Sequence, residues 1–128
     1  MFGKYGSGEG EFEFSDPRDV TVDSQGYIYV TDSGNHRVQK FSPKYEYISS
    51  FSTEGLDEGQ MVYPSGITVD DRDNLYINHR DWVSIFSTNG EFIHRFRKEG
   101  KSFKGWLNNV LFAHGNLYVC MFNKLDIY

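Results

Sequence analysis

The stretch Gly26-Tyr27-Ile28-Tyr29-Val30-Thr31-Asp32-Ser33-Gly34-Asn35-His36-Arg37-Val38-Gln39-Lys40-Phe41 decides how this chain is read. Tyr27–Thr31 is aromatic and β-branched and reads as a strand. It is apolar nearly throughout, whereas a strand with one wet face alternates apolar and polar residues. Both of its faces must therefore be covered. The polar run Asp32-Ser33-Gly34-Asn35 ends it, and Arg37–Phe41 reads as the return strand. Working outward, Asp19–Val22 precedes it across the turn Ser24-Gln25-Gly26. Tyr47–Phe51 follows across Pro43-Lys44-Tyr45. The unit is four short strands, a to d, joined by tight turns.

The unit recurs. Phe-x-x-x-Gly appears at Phe2/Gly6, Phe51/Gly55 and Phe96/Gly100, with Gly10 and Gly59 equally spaced after the first two. Pro17-Arg18-Asp19-Val20-Thr21-Val22-Asp23 returns as Pro64-Ser65-Gly66-Ile67-Thr68-Val69-Asp70 at an offset of 47. From Val38 to Gly55 the offset is 45, so Phe41, Ile48 and Phe51 map to Phe86, Ile93 and Phe96. Asn74 to Phe86 matches Asn116 to Tyr128 at 42, without a gap. The turns Asn89-Gly90, Arg72-Asp73-Asn74 and His114-Gly115-Asn116 supply the positive φ that tight hairpins need. A period in the mid-forties built of short strands means the four-stranded blades of a β-propeller. Residues 1–128 form one segment, with blade one at 17–51, blade two at 64–96 and blade three at 110–128 lacking its last strand. No stretch of ten residues carries a helical period, so the class is all-β.

Composition agrees with this reading and limits function. There are 11 Phe, 9 Tyr, 2 Trp and 13 Gly against 3 Pro. Lys and Arg number 13 against 18 Asp and Glu, a formal charge of −5, which argues against a surface built mainly to hold nucleic acid. The lone Cys120 allows no internal disulfide, no apolar run is long enough to span a membrane, and no apolar signal region opens the sequence. A cytoplasmic setting without membrane contact is expected.

From Pro17 to Phe51 the chain resembles the NHL repeat. Val22-Asp23 and the quoted stretch carry the likeness, with Asn35-His36 where the family takes the first letters of its name. Blade two departs from the pattern: Asn78-His79-Arg80-Asp81-Trp82 stands where blade one has its Asp-Ser-Gly-Asn-His-Arg loop. The resemblance implies a six-bladed ring, of which this chain holds about two and three-quarter blades. It is most similar to the tripartite-motif (TRIM) group with NHL propellers. There the propeller recognises protein or RNA, and a separate RING domain handles ubiquitin transfer. One cysteine cannot build a RING zinc array. At roughly 46 residues per blade a ring needs on the order of 275 residues. The chain is thus expected to be a piece of a longer array, or to complete a ring by self-association.

Candidate sites follow. Asp32, Asn35, His36 and Arg37 are expected to form a structural lock in the blade-one loop, with Arg37 alternatively on a partner-binding rim. The basic stretch from Arg95 through Arg97, Lys98, Lys101 and Lys104 to Trp106 interleaves cations with aromatics, a pattern that can hold phosphates and stack on bases. His36, His79 and His114 are read as solvated turn residues rather than metal ligands. Asp70-Asp71-Arg72-Asp73 is read as a solvated turn rather than a calcium site. Asp23 and Asp70 are expected near the channel mouth. No catalytic motif is present, so no cofactor and no catalytic residue are assigned. Three functions stay open. The first is a protein-binding module, the substrate-recognition part of a TRIM-like ubiquitin ligase. The second is RNA binding through residues 95–104. The third is the remnant of a metal-dependent propeller enzyme similar to the amidating lyases.

Overall fold

The computed structural model describes residues 4–5, 13–97, 107–121 and 124–128. A short parallel pair, β1 (Lys4–Tyr5) and β2 (Glu13–Phe14), precedes three antiparallel sheets. The first is β3 (Pro17–Val22), β4 (Ile28–Asp32), β5 (Arg37–Phe41) and β6 (Tyr47–Phe51), hydrogen-bonded in chain order. The second is β7 (Ile67–Val69), β8 (Leu75–His79), β9 (Trp82–Phe86) and β10 (Phe92–Arg97), in the same order. The third is β11 (Leu107–Ala113), β12 (Asn116–Met121) and β13 (Lys124–Ile127). Among the described residues the helical structure is one 3-10 turn, Ser33–Asn35. The a strands β3, β7 and β11 are neighbours, and the sheets fan outward from them as propeller blades.

Burial explains the apolar b strands. Tyr29, Val38, Met61, Ile67, Leu75, Ile77 and Phe86 form one cluster between blades one and two. The opposite face of β4 packs Val30 with Phe14 and Phe41. In β4, Tyr29 and Val30 are successive residues on opposite faces, and both are buried. Blades two and three meet through Val83, Val110, Leu117 and Val119. This second seam is looser, leaving a cavity of about 310 Å³ lined by Tyr76, Phe96, Phe112, Leu117 and Tyr128. At the first seam Tyr27, Phe51 and Phe92 pack against the cluster.

The hairpin turns take the left-handed backbone their residues favour. Gly26 (φ 87°), Asp73 (φ 61°), Gly90 (φ 82°), His114 (φ 52°) and Gly115 (φ 80°) all have positive φ. Gly90 is doubly constrained, because a Cβ there would lie 2.9 Å from the Cβ of Phe51 in the neighbouring blade. Gly90→Ala is expected to cost about 1–2 kcal/mol from its backbone conformation alone, with Phe51 also forced to move. Urea unfolding checks this, and a midpoint equal to the parent's would mean that neither constraint holds.

Candidate functional site

Strands b and c meet at one end of each blade, and the linkers between blades run across the same end. Most of the chemistry-bearing side chains gather there. The first group is a set of buried locks. Asp32 ends β4 with its carboxylate fully buried. It accepts from Ser15 N (2.7 Å), Asn35 Nδ2 (2.9 Å), Arg37 Nε (2.8 Å) and Gln39 Nε2 (3.1 Å). The Arg37 side chain is itself only 9% exposed. Arg37 therefore belongs to the lock and does not stand on the rim. His36, at φ 55°, accepts from Tyr63 N at 3.0 Å through Nδ1 and so ties the loop to the next linker.

Blade two builds the same lock from different atoms. His79 takes the place of Asp32, Ser84 that of Gln39, and Val62 that of Ser15. Val62 N donates to His79 Nδ1 (3.4 Å), which leaves Nε2 to donate to Ser84 Oγ (3.1 Å). The reading of His79 as a solvated turn histidine is thus corrected: it ends β8 fully buried. Its replacement of a loop of polar residues hid this, because the burial comes from the packed blades and linker. Burial, and then the Arg95 charge, hold its pKa down to about 4.

The aspartates at the ends of the a strands are also committed to structure. Asp23 accepts from Gln25 N, Tyr27 N and the Tyr29 hydroxyl. Asp70 accepts from Arg72 N, Asn74 N and the Tyr76 hydroxyl. Burial first, and then that hydrogen bond to Asp70, push the Tyr76 phenol up to about 12. Asp73 accepts from Ser24 N and Oγ across the blade junction. The exposed His114 lies in the a–b turn, at the end opposite to His36 and His79. Among the described residues no group of three or more His, Cys, Asp or Glu could hold a metal ion.

The second group is an exposed rim. The Arg95 guanidinium lies 4.0 Å and that of Arg97 4.8 Å from the centroid of the Trp82 ring. Arg95 Nη1 donates to Leu56 O (2.6 Å) on the linker. Arg97 reaches the Asp81 carboxylate at 3.9 Å, and its side chain remains 56% exposed. Leu56 and Tyr63 stand exposed on the linker, Tyr63 packed on the His36 ring at 4.5 Å. Of the basic stretch, Arg95 and Arg97 are placed here; Lys98, Lys101, Lys104 and Trp106 lie outside the described residues. Trp82 was missed from sequence. Counting back from the Asn89-Gly90 turn pairs it with Phe96, but a bulge between Phe92 and His94 moves its partner to Arg97.

Fanned antiparallel sheets, with a lock repeated at one end of blades one and two, define a β-propeller segment. Residues 14–41 match the family model for the NHL repeat. The chain is similar to protein brain tumor of Drosophila melanogaster, 29% identical over 99 residues that make up 74% of this chain and 9% of that protein. It also resembles the solved structure of U3-55K (TM-score 0.71, 12% identity, 88% of this chain and 35% of that one). Virginiamycin B lyase from Staphylococcus aureus is comparable (TM-score 0.63, 17% identity, 88% and 40%). At such identities the two structures share the fold alone.

Two outcomes are expected for the locks. Asp32→Ala leaves the Arg37 charge buried without its carboxylate and should cost about 3–5 kcal/mol in urea unfolding. A loss below about 1 kcal/mol would mean that the pair behaves as a surface bridge. His79 has a folded pKa of about 4, below its ordinary 6.5. Stability is therefore full above pH 6.5 and falls as the pH drops towards 4, with a slope approaching ~1.4 kcal/mol per pH unit. Comparing pH-dependent melts with those of His79→Gln isolates this contribution, and identical slopes would rule it out.

Proposed function

We propose that this chain is a recognition segment that binds a protein partner through the Trp82–Arg95–Arg97 rim and performs no catalysis itself. The carrying observation is the stacking of two guanidinium groups on one indole at an exposed edge. A stacked guanidinium is held in one plane and presents its N–H edge to a carboxylate. Tyr, Trp and Arg are also the side chains that contribute most to protein interfaces, and Tyr63 and Leu56 extend the surface. An acidic segment is the partner chemistry that fits. Further support comes from the buried acids and His79, which are occupied by structural hydrogen bonds instead of facing a cleft.

In this reading the segment belongs to the substrate-recognition propeller of a TRIM-like ubiquitin ligase in the cytoplasm, with ubiquitin transfer in another domain. The similarity to protein brain tumor and the NHL repeat at residues 14–41 support that placement. Among the described residues no helix is long and apolar enough to cross a membrane. RNA is the second reading, because Arg95 and Arg97 lead directly into Lys98, Lys101 and Lys104. Protein is favoured: the ring of Trp82 is occupied by guanidinium groups that a stacking base would have to displace.

Fluorescence anisotropy with two probes tests this, one a Glu- and Asp-rich peptide containing Tyr, the other a mixed-sequence single-stranded RNA. The peptide should bind, and both Trp82→Ala and the double variant Arg95→Ala/Arg97→Ala should weaken it at least about tenfold. Rim-dependent binding of RNA alone would replace the protein reading with the RNA one. Peptide binding indifferent to all three side chains would sink the rim as the site.

A further inference from the structure

Two consecutive amides of the linker between blades one and two end on imidazole nitrogens. Val62 N donates to Nδ1 of His79 (3.4 Å), and Tyr63 N donates to Nδ1 of His36 (3.0 Å). His79 ends β8 in blade two, and His36 lies in the loop between β4 and β5 of blade one. The linker is thus gripped from both blades at adjacent residues. A ring nitrogen that faces an N–H accepts, so in both neutral rings the proton sits on Nε2. Nε2 of His79 then meets Ser84 Oγ (3.1 Å), and Nε2 of His36 faces the Glu54 carboxylate at 3.8 Å. A second proton on either ring converts Nδ1 into a donor. It then points at another donor, and the hydrogen bond to the linker is lost.

The preceding linker is held differently. Ser15 N, the equivalent of Val62 N, donates to the Asp32 carboxylate. A carboxylate, unlike an imidazole, remains an acceptor near neutral pH. The charges around the two rings also differ. His79 is fully buried; Arg95 of β10 and Arg80 of its own turn oppose a charge on it, and Asp81 of that turn favours one. Around His36 stand Glu54 and Tyr63 of the linker and, in its own loop, the paired Asp32 and Arg37.

We propose that His36 and His79 together form a proton-operated clamp on Val62 and Tyr63, closed while both rings are neutral and opened by acidification. Opening frees the Tyr63 ring, which packs on the His36 ring at 4.5 Å, and leaves Glu54 to pair with the charged His36. Tyr63 is half exposed and extends the Trp82 rim, so the clamp regulates that rim. This last consequence alone rests on the recognition reading.

Backbone amide hydrogen exchange of the full chain, followed by NMR, tests the clamp with no partner present. Its failure is therefore distinguishable from failure of the rim. His79 has a folded pKa of about 4 against the ordinary 6.5, so its half of the clamp is complete above pH 6.5 and weakens as the pH falls towards 4. Between pH 7 and pH 5 the protection factor of the Val62 amide should fall about twentyfold. The Tyr63 amide should lose protection as well, while those of Val38 and Ile77 in the core keep theirs. The double variant His36→Gln/His79→Gln supplies side-chain oxygens as acceptors and does not titrate there, so both linker amides should stay protected. Should it fail to fold, the parent decides: each ring should titrate with the same midpoint as the chemical shift of its amide partner, and different midpoints would refute the clamp. Equal loss of protection throughout the chain, no loss at Val62 and Tyr63, or the same loss in the double variant would each overturn the proposal.

Discussion

The constraint on which this structure depends is that β4 and β8 can be wetted on neither side. Tyr29 and Val30 are buried on opposite faces of β4, and Ile77 and Asn78 on opposite faces of β8. A single four-stranded sheet covers neither of its own faces, so each blade needs a neighbour. Stacking supplies it, and the fan of a strands is the geometry that lets twisted sheets stack side by side. Seam residues are therefore interchangeable in type from blade to blade: Phe14 and Met61, or Val30 and Ile77, occupy equivalent places.

Apolar stacking alone leaves the polar ends of the b strands to be satisfied. Thr31 and Asn78 occupy equivalent places and accept from the backbone amides of Asp19 and Gly66. Asp32 and His79 follow them and accept from Ser15 N and Val62 N. Buried polar groups must find partners, and each blade finds them in the linker that enters it. An ionised lock in blade one and a neutral one in blade two reach the same end. The ionised version needs Arg37 to balance its charge; the neutral version needs no cation and uses the Ser84 hydroxyl where blade one has Gln39. The linkers are thereby held to the blades, and the exposed residues they carry acquire fixed positions.

That fixation gives the rim its form. Leu56 accepts from Arg95, so a linker carbonyl helps to aim a guanidinium at Trp82. Arg95 also acts electrostatically on buried His79, which couples the rim to the lock beneath it. The proposed recognition surface lies across the b–c end.

Local chemistry made much of the fold legible. Arg37–Phe41 and Tyr47–Phe51 were bounded correctly because polar turns flank them, and Asn89-Gly90 marked a hairpin because few other pairs adopt positive φ so readily. The repeat showed which residues are equivalent, and the unbroken apolar b strands showed that sheets stack. What each equivalent residue does was decided by tertiary structure. His79 is a buried lock because the packed blades and linker exclude water around it, which no local pattern signals. Arg37 is spent inside because the Asp32 carboxylate beneath it must be neutralised. Trp82 meets Arg97 because one bulge shifts a register. The sequence by itself determined the strands, their turns and their period, which depend on near neighbours along the chain. The site was decided only when linkers and blades distant in sequence came together.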